Sequence, residues 1–237
     1  MSTSKKRVAV LISGRGSNMA SLVSAAAERD YPAEIICVIS DRPEAAGLKF
    51  AASKGIATIV LPRSDYASRE AHDAAIDAAL HTSGAEIVAL AGYLRILTAS
   101  FVERWQGRMI NIHPALLPSF KGLDAHAQAL GAGARIHGCT VHFVTPEADD
   151  GPIIAQAAVP VLIDDTEDTL AARVLKAEHH LYPLALRLVA EGKARMEGGR
   201  TVFADIGQVQ QNGTGFLSSP SSIRDAVDLE HLARITP

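Results

Sequence analysis

Short apolar runs alternate with longer stretches of helical period along the chain up to Pro118. Residues 7–13 (RVAVLIS) are continuously apolar, as a strand covered on both faces requires. Residues 17–29 predict a helix, ended by Tyr31-Pro32, and 34–40 (EIICVIS) a second strand. A helix over 44–54 stops at Gly55, and a strand follows over 56–61. Residues 67–82 predict an alanine-rich helix stopped by Gly84, and 85–91 (AEIVALA) a fourth strand. Thr98 caps a short helix over 98–105, and 109–112 is a fifth, short strand. Strands separated by helices imply right-handed crossovers and a parallel sheet.

Beyond Pro118 the rhythm changes. Residues 119–134 hold Gly122, Gly131 and Gly133 and predict a loop with a short helix. The strand-like runs 138–145 and 153–162 are joined by the acidic turn PEADDGP, which suggests an antiparallel hairpin. Residues 164–192 predict a long helix, in which Leu170, Val174, Ala177, Leu181, Leu184 and Leu188 form one apolar stripe and Pro183 introduces a kink. A last hairpin over 195–203 turns at Gly198-Gly199. Residues 206–222, rich in Gly, Gln and Ser, read as a linker, and Ile223, Val227 and Leu232 suggest a short terminal amphipathic helix. The expected fold class is therefore α/β: an open, mainly parallel twisted sheet with helices on both faces, its C-terminal strands partly antiparallel. One domain over 1–203 is expected, with a phosphate-binding half to about 105 and a catalytic half from about 106, followed by a linker and tail over 204–237.

Composition narrows the function classes. The chain has 237 residues, 48% of them hydrophobic and 21% charged, which suits a globular domain with a sizeable core. Lys plus Arg is 23 against 26 Asp plus Glu, so the basic stripe that a large nucleic-acid footprint needs is not offered. No apolar run is long enough for a transmembrane helix, and MSTSKKRVAVLIS reads as a first strand, not a signal peptide. Cys37 and Cys139 lie in apolar segments without a CxxC, as buried free thiols of a reducing cytoplasm would.

SGRGSN (Ser13 to Asn18) sits between the first strand and the first helix. Its glycines permit close backbone approach, and the N–H groups of Gly16, Ser17 and Asn18 would face whatever lies over the helix N-terminus, a geometry that suits phosphate. A dinucleotide fingerprint would continue with Gly or Ala where this chain has Met19, which favours a monophosphate. The plainer alternative is a tight turn with a Ser cap. NIHPALLPSFKG follows the fifth strand, where period-two geometry sets Asn111 and His113 on the same side. An amide and an imidazole aimed together into a crevice can polarise a carbonyl, the amide donating to a developing oxyanion and the imidazole donating a proton. A capping Asn and a satisfied histidine are the alternative. In HFVTPEADDGP, Asp149 and Asp150 are either solvated turn residues or one of them stabilises the imidazolium of His113. A metal site from His113, His137, His142 and an Asp lacks helical HxxxH spacing and a Cys set, so no metal is expected.

Three motifs in order, VLISGRGSN, LAGYLRIL with NIHPALLPSFKG, and HGCTVHFVTPEADDGPII, resemble the phosphoribosylglycinamide formyltransferase family of the 10-formyltetrahydrofolate-using superfamily. The resemblance covers about 7–192. It implies Asn111, His113 and Asp149 as the catalytic set, and Gly16, Ser17 and Asn18 as the loop holding the substrate phosphate. It implies Glu178 at the substrate's sugar, with Leu175, Lys176 and Ala177 beside it. Leu94, Arg95, Ile96 and Leu97, together with Arg69, Asn111 and the stretch Thr145, Pro146, Glu147, Ala148 and Asp149, are implied as folate contacts. Arg15 departs from the more usual loop residue and adds charge near the phosphate. The implied partners are 5'-phosphoribosylglycinamide and 10-formyltetrahydrofolate, without metal, nucleic acid or membrane, in a cytoplasmic enzyme that could form a homo-oligomer. Three rivals remain. A tRNA-directed sibling would need an RNA-binding domain, whereas 195–237 holds four basic against five acidic residues. A formyltetrahydrofolate hydrolase has no need of a phosphate loop. A non-catalytic nucleotide-binding module would not need Asn111, His113 and Asp149.

Overall fold

The computed structural model describes residues 4–205 and 217–219. The chain builds β1 (Lys6–Ile12), α1 (Ser17–Ala26), β2 (Ala33–Ser40), α2 (Ala46–Ser53), β3 (Ala57–Val60), α3 (Arg69–Ser83), β4 (Ile87–Leu90), α4 (Ala99–Arg104) and β5 (Met109–His113). It continues with α5 (Ala125–Gly131), β6 (Ile136–Phe143), β7 (Ile153–Pro160), α6 (Glu167–Ala190), β8 (Ala194–Glu197), β9 (Arg200–Phe203) and β10 (Leu217–Ser219).

Eight strands form one sheet in the order β10-β7-β6-β5-β4-β1-β2-β3. β1 to β5 are parallel, while β5/β6, β6/β7 and β7/β10 pair antiparallel. β8 and β9 make a separate hairpin. The expected alternation and the β6/β7 hairpin are thus present, with β6 two residues nearer the N-terminus than the expected run 138–145 and β7 ending two residues before that of 153–162. Within the stretch read as a linker, Leu217–Ser219 instead adds an edge strand against Gln156, Ala157 and Ala158. The suggested helix around Ile223, Val227 and Leu232 lies outside the described residues.

β1 shows why the central strands read as unbroken apolar runs. Val8, Val10 and Ile12 enter a core with Met19 and Leu22 of α1 and the α6 stripe of Leu170, Val174, Ala177 and Leu181. Ala9 and Leu11 face the opposite core, with Ile76 and Leu80 of α3, Phe101 of α4 and Trp105. Both faces are covered, so neither parity can be polar. Cys37 and Cys139 are buried free thiols. α6 starts at Glu167 because Thr166 and Thr169 close a reciprocal cap, and it runs through Pro183 without ending there. Tyr182 on this helix donates its hydroxyl to the carbonyls of Leu90 (2.8 Å) and Ile110 (3.2 Å), which locks α6 to the sheet centre. Among the described residues, no helix is long and apolar enough to cross a membrane.

The strand order reverses between β1 and β4, and crevices for ligands form at the carboxyl ends of strands at such a point. Ser13 marks it, donating its N–H to the Gly92 carbonyl at 3.0 Å.

Candidate active site

The loop after β1 is shaped by its glycines. Gly16 is the N-cap of α1 in the left-handed region, φ 74°. A Cβ there would lie 2.9 Å from the Gly47 Cα and 2.9 Å from the Met19 Cε. Gly47, at the start of α2, in turn donates its N–H to the Gly14 carbonyl at 3.2 Å and backs the loop. No side chain caps α1 and no acidic residue lies in its first turn, so its N-terminal N–H groups are free to meet an anion. Gly16→Val is therefore expected to weaken binding of a phosphate-bearing ligand by at least tenfold while a folate analogue keeps its affinity. Calorimetric titration with each ligand checks this, and equal losses for both would sink it.

Asn18 donates through Nδ2 to Glu178 Oε2 at 2.7 Å, joining α1 to α6 at the loop. Burial pushes the Glu178 carboxyl up to about 7, against the opposing pull of the Asn18 hydrogen bond. Of its neighbours, Ala177 is buried in the core, Leu175 is half-buried and Lys176 is exposed on the far side of the turn. Arg15 is exposed at the tip of the loop.

The second part of the site stands at the ends of β5 and β6. Their antiparallel register sets Asn111 opposite His142 and His113 opposite Thr140. His142 lies 2.9 Å from the Phe143 carbonyl through Nδ1, so that nitrogen carries the proton and Nε2 accepts from the Asn111 amide at 3.3 Å. Burial holds His142 below the usual imidazole range, in keeping with this neutral form. The contact orients Asn111 and leaves its second N–H for another acceptor. His113 meets the Phe120 carbonyl at 2.9 Å through Nε2, and its Nδ1 lies 3.3 Å from Asp149 Oδ2. Both partners are acceptors, so the ring satisfies both only as an imidazolium.

The chain around His113 is held from several sides. Thr140 donates to the Ala115 carbonyl at 2.7 Å and accepts from the Leu117 N–H at 3.0 Å, fixing the exit from β5. Asp149 accepts from the Gly122 N–H at 2.9 Å, and Lys121 pairs with Asp150, so the 119–124 loop and the acidic turn close on each other. Phe120, Asp124 and Asp149 all adopt positive φ (55°, 56° and 53°), a strain of order 1–3 kcal/mol for each such residue that clusters at functional sites. Pro146, Glu147 and Ala148 are exposed along the turn, and Thr145 is half-buried.

The segment after β4 supplies the third part. Leu94 donates its N–H to Ser13 Oγ at 3.0 Å, and Arg69 at the start of α3 donates to the Ile96 carbonyl at 2.7 Å. Leu94 and Ile96 are 65% and 63% exposed, whereas Leu97 is buried and Arg95 turns inward onto Asp73. Of the four residues expected to line a folate pocket, only two thus offer their side chains outward. Exposed apolar side chains beside convergent polar groups suit an aromatic ligand.

Gly47 and the Phe120 carbonyl are not legible as site groups in the sequence, and His142, weighed there as a metal ligand, enters instead through Asn111. His142 was detectable in principle, since it pairs directly with Asn111 once β5 and β6 are known to be antiparallel neighbours.

A glycine loop at a helix N-terminus, an oriented amide beside a carboxylate-paired imidazole, and exposed apolar side chains gather at the carboxyl ends of β1, β4 and β5, an arrangement suited to group transfer. The chain belongs to the formyl transferase family, whose model matches residues 6–186. Within that family it is 43% identical over 189 residues to the phosphoribosylglycinamide formyltransferase of Escherichia coli K12, covering 80% of this chain and 89% of that protein. The crystal structure of phosphoribosylglycinamide formyltransferase from Brucella melitensis matches with 54% identity and a TM-score of 0.76, over 84% of this chain and 100% of that one. The bovine trifunctional purine biosynthetic protein adenosine-3 is 51% identical over 197 residues, 83% of this chain, yet the chain spans only 20% of its length.

Proposed function

We propose that this protein transfers the formyl group of 10-formyltetrahydrofolate to the amine of 5'-phosphoribosylglycinamide, giving formylglycinamide ribonucleotide and tetrahydrofolate. The observation that carries this reading is the placement of His113 between the Phe120 carbonyl and Asp149, beside an Asn111 oriented by His142. The Gly16–Asn18 loop takes the phosphate and the Asn18–Glu178 pair the sugar hydroxyls. Leu94 and Ile96, with Arg69 and the backbone of 145–149, take the folate.

The amine attacks the formyl carbon, and a new C–N bond forms as the carbonyl oxygen gains negative charge. Asn111 donates an N–H to that oxygen, and His113 donates beside it as its Nε2–H passes from the Phe120 carbonyl to the developing oxyanion. Asp149 sets a negative charge 3.3 Å from the ring. Collapse of the tetrahedral intermediate breaks the bond to the folate nitrogen, which takes up a proton as the attacking amine loses one. Mixing the protein with both substrates and following folate absorbance tests the reading. Turnover that depends on the ribonucleotide supports it; donor consumption at the same rate without the ribonucleotide would instead make the protein a hydrolase.

Glu178 adds a pH signature. Its folded-state pKa, about 7, lies above the ordinary 4.5, so the unfolded chain gives up this proton first. The contribution of this group is therefore full below about pH 4.5 and is lost progressively as pH rises to about 7, by about 3 kcal/mol at 1.36 kcal/mol per unit. Glu178→Gln keeps an acceptor for Asn18 and removes the titration. Its melting temperature is expected to exceed that of the wild type at pH 8 but not at pH 4.5, as read by calorimetry; parallel curves would refute the linkage.

A further inference from the structure

α3 carries a buried carboxylate that the proposed chemistry does not use. Asp73 is 1% exposed, beside Ile76 and Leu80 of the same helix face. Such a group is disfavoured without partners. Its partners both come from the segment after β4: Asp73 pairs with the Arg95 guanidinium, and its Oδ2 accepts the Thr98 N–H at 2.8 Å. Hydrogen bonds with an ionised partner are the strong ones. The segment is also tied by Ser13, through its N–H to Gly92 and its hydroxyl to Leu94, by the exposed Arg69, and by Leu97 buried in the core.

The alternation of the segment makes this anchor consequential. Leu94 and Ile96 point out while Arg95 and Leu97 point in, so whatever fixes Arg95 inward also fixes the two apolar side chains outward. Among the described residues, none of the other charges around Arg95 forms an ion pair with it. Arg69 and Arg63 repel it, Asp41 and Glu70 attract it, and Tyr93 Oη lies at a long 3.5 Å from its Nε. Asp73 is the charge that is both buried and in contact.

We infer that Asp73 is a positioning residue for the folate platform: by holding Arg95 and Thr98 it presents Leu94 and Ile96, and so sets affinity for the formyl donor without touching it. Arg95 acts as the other half of this anchor, its side chain turned to α3 instead of to a ligand. The ligand named here rests on the proposed function; the anchor itself rests on geometry.

Asp73→Asn keeps an oxygen for Thr98 and removes the charge that Arg95 meets. In this variant a folate analogue is expected to bind at least tenfold more weakly, while ribonucleotide affinity stays within twofold. Amide exchange at 94–98 is expected to accelerate at least tenfold, with β1 unchanged. Asp73→Asn and Arg95→Gln should be non-additive, the double variant binding the analogue no more weakly than the worse single one. Unchanged analogue affinity and unchanged exchange in Asp73→Asn would overturn the inference, as would equal losses for both ligands. If the wild type binds no folate analogue, the proposed function falls, and amide exchange at 94–97 then decides the anchor.

Discussion

Replacing His113 with alanine is expected to lower turnover by about a hundredfold to a thousandfold, the usual cost of losing one preorganised donor to a developing oxyanion. Ribonucleotide affinity should change little, because the phosphate loop and the Asn18–Glu178 pair lie on α1 and α6, away from β5. The loss should fall on the chemical step because His113 makes its contribution where charge develops. Its ring is already placed, with one nitrogen at the Phe120 carbonyl and the other at Asp149, so the Nε2–H has only to change acceptor. Removal also leaves Asp149 with only Gly122 and the more distant His142, 3.8 Å away, as partners. Steady-state rates at saturating donor, alongside calorimetric titration with the ribonucleotide, check the split. A variant that turns over at nearly the wild-type rate would remove His113 from the chemistry and with it the proposed mechanism.

The parts of this site differ in how far the sequence announces them, for physical reasons. The phosphate loop is local: strand, two glycines and helix follow one another, although Gly47 behind the loop, Gly92 and Leu94 on Ser13, and Glu178 on Asn18 are remote in sequence. Asn111 and His113 are legible because a period of two holds within one strand. What closes around them is not local. Asp149 reaches His113 through a turn pinned by Gly151, where a Cβ would lie 1.7 Å from the Phe143 carbonyl oxygen. Nothing in PEADDGP alone fixes that direction. His142 became part of the site only through the antiparallel register of β5 with β6. The same limit applies to Leu94, Arg95, Ile96 and Leu97. A motif names them together, but alternate burial divides them, and the partner that decides the division, Asp73, lies on another helix. The element order was more legible than the element ends. The start of α6 depends on the Thr166–Thr169 cap, and the hydrophobic stripe does not reveal that choice.

Asp149→Asn is expected to cost about a hundredfold in turnover, comparable to losing the donor itself. Asparagine fits the site sterically and tolerates the left-handed conformation that Asp149 adopts at φ 53°. Its amide oxygen can still accept the Gly122 N–H that Asp149 Oδ2 now accepts at 2.9 Å. What it lacks is the negative charge 3.3 Å from His113 Nδ1. The ring is buried, and a buried cation without a counter-charge is disfavoured against its neutral form. Neighbouring His142 cannot compensate, because its Nδ1 proton is committed to Phe143 and its Nε2 to Asn111. The neutral ring keeps one proton for two acceptor-facing nitrogens, so it either leaves the Phe120 carbonyl unmet or turns a bare nitrogen to the turn. In each case the oxyanion loses its charged neighbour while Asn111 stays in place. Nitrogen NMR of the imidazole at neutral pH should show both ring nitrogens protonated in the wild type and only one in Asp149→Asn. If the ring carries two protons in both proteins and turnover is unchanged, Asp149 is a turn residue that merely lies near His113, and the charge on the ring has another source.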